Sequence, residues 1–296
     1  MDDPNALPIH ALSTPEDMLG VIALMEQIWP GIQPVPDHLL LTAAHNGGLV
    51  LGAYEEDALV GFAFGFLGLH GQGGTAVLKH CSDMVGVLPA YRDKGLGARL
   101  KRAQWQLVRQ QGIELITWTY DPLESRNASL NIARLGAIVK TYLPNHYGEM
   151  TDGLNAGLPS DRFLVEWWVN SPRVLKRLSA QARPRLDLAH FLSAGTEPIN
   201  TTALNGGGWP RPAADRLDTL DDPATRPPLA LFEIPADFRG LRAVDPDLAL
   251  EWRLYTRVAF DLFFSHGYLV TDVVYLPGAS ARVYYVLSQG DSTLGI

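Results

Sequence analysis

The chain has a single cysteine, Cys81, in 296 residues. An intrachain disulfide is therefore excluded, and a reducing cytoplasm is the natural expectation. No apolar run reaches the ~18 residues that a membrane span needs. The opening residues, MDDPNALPIH, hold neither the basic nor the apolar segment of a secretory leader. Positive charge is also scarce: 24 Lys and Arg stand against 32 Asp and Glu, a formal net charge of −8. Nonspecific attraction to nucleic acid is excluded on that balance, while a cationic ligand would be tolerated. Neither nucleic acid nor a membrane is expected as a partner.

What is present describes a globular chain. Hydrophobic residues make up 47% and charged residues 19%, enough for one large or two ordinary cores. Residues 13–30 read as a helix capped by Ser13 or Thr14, with Pro15 in its first turn and a stripe of Met18, Ile22, Met25 and Trp29. A shorter helix is expected at 36–45. Strands are expected at 8–12, 48–54, 58–69 and 75–88, the last stopping at Pro89. A strong helix follows at 94–111, with Leu96, Leu100, Ala103 and Leu107 on one stripe and Gly112 as its end. Then come a buried strand (113–120), a short helix (125–136), and strands at 137–147 and 161–169.

The second half is less regular. A helix is expected at 171–181. Residues 193–228 are rich in Pro, Gly and Asp and read as a long linker or excursion. A strand (229–235), a helix (245–267) with Asp245 as cap and Pro246 at its first position, and a hairpin across Pro277 and Gly278 close the chain. The expected domains are 1–170, a linking segment over 171–228, and a small α/β unit over 229–296.

The most informative stretch is YRDKGLGARL, residues 91–100, placed between an apolar strand and a helix. A helix start leaves backbone N–H groups without partners and carries partial positive charge. Glycines at 95 and 97 remove the Cβ atoms that would keep a phosphate from those groups. Arg92 and Lys94 add full charges, so the turn is built for an anion such as a pyrophosphate. A phosphate-binding P-loop sequence does not occur. The dinucleotide fingerprint fits poorly, because Leu100 stands where a third glycine is needed.

The run VGVLPAYRDKGLGARL resembles the coenzyme A motif of the GNAT acyltransferase superfamily, matching at Val87, Pro89, Tyr91, Arg92, Lys94, Gly95, Gly97 and Leu100. The order of elements over residues 1–150, β-α-α-β-β-β-α-β-α-β, is also the order of that superfamily. The resemblance implies an α/β (α+β) fold with a mixed, mostly antiparallel sheet whose central strands splay. It implies that Val85 and Val87 pair with the pantetheine arm. It also implies that Arg92, Asp93, Lys94, Gly95, Leu96, Gly97 and Ala98 hold the pyrophosphate, with acetyl-CoA or another acyl-CoA as co-substrate and no metal. SRNASLNIARLGA resembles a later helix of the superfamily, which places Asn127 near the cofactor; a plain helix cap is the other reading of Asn127. Many relatives carry a tyrosine, the acid for the thiolate, four residues before the closing glycine; here that position is Ile132. The longer run from Trp118 to Val169 resembles a subgroup of long-chain predicted acetyltransferases, some regarded as amino-acid N-acyltransferases near N-acylamino-acid racemases, with succinyl-CoA a further candidate donor.

Acyl transfer to an amine requires a base, a donor to the thioester oxygen, and an acid for the departing thiolate. Backbone N–H groups near Val85 to Val87 suit the second task. Asp83 and His80 are the candidate bases: Asp83 is nearer the expected thioester, and His80 has the better ordinary pKa. Strand alternation puts the two on opposite faces unless a bulge intervenes. His146, Tyr147 and Tyr142 are the acid candidates, with packing as their alternative. Arg126, Arg162 and Arg173 are candidates for holding a carboxylate, with surface ion pairing as the alternative. The expected activity is N-acyl transfer to a small-molecule amine, with an acyl-CoA-binding regulatory module without turnover as the competing reading; a homodimer is the alternative to a monomer.

Overall fold

A computed structural model of the protein describes residues 7–71, 73–148, 157–179, 186–278 and 280–290. Residues 149–156 of the family-like run and residues 180–181 of the expected helix lie outside that set. The described residues fall into two compact units: Met1–Trp118 with Trp168–Asn170, and Thr119–Trp167 with Ser171–Ile296. Residues 119–167, grouped with the N-terminal domain in the sequence reading, cluster with the C-terminal half.

The first unit runs β1 (Ile9–Ala11), α1 (Pro15–Ile28), α2 (Asp37–His45), β2 (Leu49–Glu55), β3 (Ala58–His70), β4 (Val77–Val87) and α3 (Leu96–Gln110), then most of β5 (Leu115–Tyr120). Its strand order is β1-β2-β3-β4-β5. The first three pairings are antiparallel and β4 with β5 is parallel, so the sheet is mixed and mostly antiparallel. Thr14, rather than Ser13, caps α1. Its hydroxyl accepts from the Asp17 N–H at 3.2 Å, and the Asp17 carboxylate accepts from the Thr14 N–H at 2.9 Å, a reciprocal capping box. Met18, Val21, Leu24, Met25 and Ile28 of α1 pack with Phe62 and Phe64 of β3 on one face of the sheet. Leu96 and Leu100 of α3 pack with Leu51, Ala53, Val60 and Ala63 in a second cluster.

The expected stripe on α3 is present: Ala103 and Leu107, half-buried, pack with Leu96 and Leu100 against the same cluster. Burial extends beyond it to Lys101, Gln104, Trp105 and Val108. Two of those four are polar, so an apolar periodicity does not show the full width of the buried face.

The second unit contains α4 (Ser125–Ala128), continued by a π-helical turn over Ser129–Arg134, then β6 (Ile138–Leu143), β7 (Arg162–Trp168), α5 (Pro172–Leu178) and α6 (Leu188–Ser193). It goes on through β8 (Asn200–Leu204), β9 (Pro210–Asp215), β10 (Leu229–Pro235), α7 (Phe238–Val244), α8 (Pro246–Ser265), β11 (Tyr268–Leu276) and β12 (Arg282–Gln289). Its main strand order is β7-β6-β11-β12-β10. Asp245 caps α8 as expected, accepting from the Leu248 N–H at 3.0 Å.

Of the two readings of residues 193–228, linker or excursion, the structured excursion fits the observed elements. These residues form the β8–β9 ribbon and a 3-10 turn over Leu217–Leu220. The ribbon has little apolar alternation to reveal it. Buried Asn200 anchors it instead, its side chain accepting from the Glu233 N–H at 2.7 Å and donating to the Glu233 carbonyl at 3.0 Å.

Helix α8 also carries a charged brace. Arg257 grips the fully buried Asp161 with both guanidinium arms, at 2.7 and 2.9 Å, and the Tyr142 hydroxyl donates to the same carboxylate at 2.7 Å. Burial alone would raise the Asp161 pKa. Arg257, the Asn145 N–H and Tyr142 outweigh it and hold the carboxyl below the ordinary aspartate range. A depressed carboxyl stabilises the fold above its unfolded pKa and stops doing so as pH falls through the folded value. Asp161→Asn, which leaves Arg257 facing a neutral amide, is expected to cost ~3 kcal/mol in urea unfolding at pH 7 and to flatten the acid limb of stability.

Candidate active site

The turn at 91–97 is shaped as its sequence implied. After β4, Pro89–Tyr91 forms one 3-10 turn. The backbone then takes a left-handed step at Asp93 (φ 61°) and another at Gly95 (φ 81°), the N-cap of α3. Gly95 fits that position because a Cβ would strain it. No side chain caps α3. The N–H groups of Leu96, Gly97 and Ala98 are therefore the unpaired donors that every helix start presents. A Cβ built on Gly97 meets no protein atom within 4 Å. That glycine is not required by packing, so the space beside it is open to a ligand.

The charged residues of the turn are placed unevenly. Arg92 turns back so that its Nε donates to the Val87 carbonyl at 3.0 Å. The Lys94 ammonium sits 5.5 Å from the centre of the Tyr91 ring. The Tyr91 hydroxyl donates to Glu55, and that bond raises the tyrosine pKa. The Tyr91–Glu55 pair ties the turn to the end of β2, and no sequence pattern announced it.

The strands ahead of the turn part as expected. β4 and β5 pair only at His80 with Ile116 and Cys81 with Thr117. Beyond those pairs β4 runs on to Val87 and β5 to Tyr120, with no further pairing between them among the described residues. Leu88 donates to the Val60 carbonyl at 3.0 Å, so Val60–Leu88 and Phe62–Gly86 are the bonded pairs of the β3–β4 ladder. The peptide groups of Val85 and Val87 alternate with these and point away from β3. They are extended-strand donors and acceptors facing the side from which β5 has departed.

A bulge sits in the same place. The β3–β4 register skips a residue between Met84 and Ser82, leaving Asp83 unpaired. His80 and Ser82 face α3 before the bulge, and Val85 and Val87 face it afterwards. The bulge that would release His80 and Asp83 from strict alternation is thus present, and the two fare differently. Asp83 is exposed to solvent, yet surrounding protein crowds its carboxyl and raises the pKa above the ordinary aspartate value. We take it as a carboxyl in a recess that water still reaches. His80 is fully enclosed. Burial, with Lys101 nearby, lowers its pKa to about 3, so it is a neutral imidazole at any working pH. Its Nε2 lies 3.0 Å from Gln104 Nε2, and its Nδ1 has no partner among the described residues. A ring so enclosed has no path to an incoming amine, which removes the geometric basis for His80 as the base.

In the second unit, His146 and Tyr147 lie in the turn after β6 rather than on the strand, which ends at Leu143 before Pro144. Both are exposed, with ring centres 4.5 Å apart. Tyr147 shares a hydrogen bond of 2.8 Å with the hydroxyl of Thr119, the β5 residue two positions beyond the last β4 partner. The Arg162 guanidinium lies 5.3 Å from the centre of the Tyr147 ring. Burial, and after it the neighbouring Asp161, raise the Tyr142 pKa far above the phenol range. Asn127 is exposed inside the first turn of α4, whose cap position is Glu124, so the helix-cap reading of Asn127 is set aside. Ile132 is fully buried. Arg173 spends its donors on the carbonyls of Gly136 and Thr271.

Residues 19–137 match the family described as Acetyltransferase (GNAT) family. The chain is similar to that family over those residues, which are less than half of its length. Among solved structures, the ribosomal-protein alanine N-acetyltransferase of Escherichia coli is 17% identical, with a TM-score of 0.44, covering 55% of this chain and 93% of its own. The Salmonella typhimurium protein yncA, solved with its cofactor acetyl-CoA, is 18% identical with a TM-score of 0.43, covering 55% and 94%. An N-acetyltransferase of Staphylococcus aureus is 15% identical with a TM-score of 0.44, covering 55% and 98%. No curated protein matches the chain. No helix among the described residues is long and apolar enough to cross a membrane.

Proposed function

We propose that this protein is an acyl-CoA-dependent N-acyltransferase that moves an acetyl group to a primary amine by direct attack within a ternary complex. The observation that carries this reading is the parting of β4 from β5 beside a helix start whose Gly97 faces open space. Extended peptide groups at Val85 and Val87 suit an amide-rich arm, and the N–H groups of Leu96, Gly97 and Ala98 suit a diphosphate. Acyl-CoA supplies the activated thioester. Asp83 takes the proton of the amine, and its raised pKa moves it toward the basicity that task requires. The N–H of Val85 or Val87 donates to the thioester oxygen as charge gathers there. One C–N bond forms, the C–S bond breaks, and the sulfur leaves as thiol once it receives a proton.

Tyr147 is our choice for that proton. Its phenol is open to solvent and held by Thr119, and buried Ile132 leaves the alternative helix position without an acid. Tyr147→Phe is expected to lower kcat about tenfold while the Kd for acetyl-CoA stays within about twofold. Steady-state kinetics beside calorimetry checks both. His146 stands next to it as the second candidate, and Asn127 remains a proposed cofactor contact. Succinyl-CoA as donor, an amino acid as acceptor, and Arg126 or Arg162 as its carboxylate partner are parts of the proposal that a substrate panel decides. The panel sets both enantiomers of the free amino acids against acetyl- and succinyl-CoA. Thiol release with any amine supports the transferase. Tight acyl-CoA binding without release across the panel favours the regulatory module, a reading that the isoleucine at 132 keeps in play.

A further inference from the structure

Between α3 and the point where β4 and β5 part lies a buried polar chain that the reaction outlined above does not use. Lys101 Nζ donates to Ser82 Oγ at 2.9 Å and to Gln104 Oε1 at 3.1 Å. The same nitrogen sits 3.6 Å from the centre of the Trp118 ring on β5. Gln104 in turn meets His80 at 3.0 Å. Ser82, Lys101, Gln104 and His80 are each at most 5% exposed. Gly65 makes room for this chain, since a Cβ there would collide with the His80 ring and the Cys81 carbonyl.

Burying a lysine is costly, so the question is what its contacts do. They join three elements at one place. Ser82 is the last residue of β4 before the bulge at Asp83, and Trp118 follows Thr117, the last β5 residue paired with β4. Without the bulge, alternation would carry residues 84 and 86 to the α3 face. With it, Met84 packs into the α1 cluster while Val85 and Val87 pack on α3. The same shift decides which peptide groups of β4 point away from β3.

We propose that Lys101 is a positioning residue of the acyl-CoA cleft: by bonding Ser82 and resting on Trp118 it pins the β4 bulge and thereby aims the peptide groups of Val85 and Val87 into the gap beside β5. The cleft half of this inference rests on the function proposed above. Gln104 bonds Lys101 and His80 but does not touch the bulge, so its loss leaves the Lys101–Ser82 bond in place and gives the comparison.

The test uses the full chain. Lys101→Met keeps the reach of the side chain without its donors; Ser82→Ala is the milder change that spares the lysine; Gln104→Leu disturbs the chain away from the bulge. Lys101→Met is expected to raise the Kd and KM for acetyl-CoA about tenfold, with the amine KM within about twofold. Ser82→Ala is expected to raise the Kd about threefold, and the double variant to match Lys101→Met alone because both lose one shared bond. Gln104→Leu removes one Lys101 acceptor but leaves the Ser82 bond, so it should raise the Kd clearly less than Lys101→Met does. In the unliganded protein, amides of residues 82–87 should exchange faster in Lys101→Met, and those of 49–55 unchanged. An unaltered Kd in Lys101→Met, or an equal loss in Gln104→Leu, overturns the proposal, as does unaltered exchange at 82–87. If the wild-type protein binds no acyl-CoA, the proposed function fails and the cleft half of this inference with it; exchange then decides the bulge half by itself.

Discussion

Gly97→Glu is expected to lower acetyl-CoA affinity at least about 100-fold, because a carboxylate would stand where the diphosphate must sit and like charges brought together cost several kcal/mol. The same substitution should make the unliganded protein more stable. Gly97 is the second residue of α3, its φ is not in the left-handed region, and a Cβ there meets no protein atom within 4 Å. Replacing glycine in a helix recovers ~0.5–1 kcal/mol of backbone entropy. An acidic side chain in the first turn adds a further ~0.3–1 kcal/mol from the helix dipole. Affinity and melting temperature therefore move in opposite directions. A glycine kept only for packing would give the reverse: a lower melting temperature with binding following the loss of fold. Calorimetric titration of both proteins, beside a thermal melt without ligand, separates the two.

Asp83→Asn is expected to lower kcat by about 10²–10⁴ while acetyl-CoA still binds, since an amide cannot take the proton of the amine. The pH dependence follows from the direction of the shift. The Asp83 carboxyl titrates above its ordinary value because the protein around it disfavours the charge. Below that raised pKa the base is protonated and kcat should fall; above it kcat should reach a plateau. In Asp83→Asn the acid limb belonging to this group should vanish from the residual activity. For stability the sign is opposite to that of Asp161. A carboxyl whose folded pKa is raised loses stabilisation as pH climbs from its unfolded to its folded value. At neutral pH the ionised Asp83 is therefore a burden on the fold, and the asparagine variant should be at least as stable as the wild type. Full activity in Asp83→Asn would move the base elsewhere.

Much of the first unit could be read before its coordinates, and the reasons are local. Thr14, Pro15 and Asp17 mark a helix start by their own hydrogen bonding, and Asp245 with Pro246 does the same for α8. The glycine turn was legible because backbone conformation and ligand access both constrain it: φ of 81° at Gly95 and empty space at Gly97 are different demands met by one residue type. Other features depended on partners distant in sequence. The bulge at Asp83 exists only in the register between β3 and β4. The buried face of α3 includes Lys101 and Gln104, which look like solvent-facing residues until Ser82, Trp118 and His80 are known to meet them. The β8–β9 ribbon was concealed by Pro210 and Pro212, which read as a break in structure. Its anchors are side-chain hydrogen bonds such as those of Asn200, Thr202 and Trp252 rather than an apolar pattern. His146 and Tyr147 were found by type and proximity to a strand, but the turn that holds them is set by Ser160, whose carbonyl and hydroxyl accept from their N–H groups at 3.0 and 2.9 Å.

The central claim is that the peptide groups of β4 after the bulge and of the first turn of α3 bind one ligand together. Titration of isotope-labelled protein with coenzyme A, followed amide by amide, tests it most directly. Saturable shifts gathered at Val85, Val87, Leu96, Gly97 and Ala98, all fitting one dissociation constant, are the predicted result. Unmoved signals at those five amides with the cofactor in excess, or shifts clustered on some other surface, would contradict it.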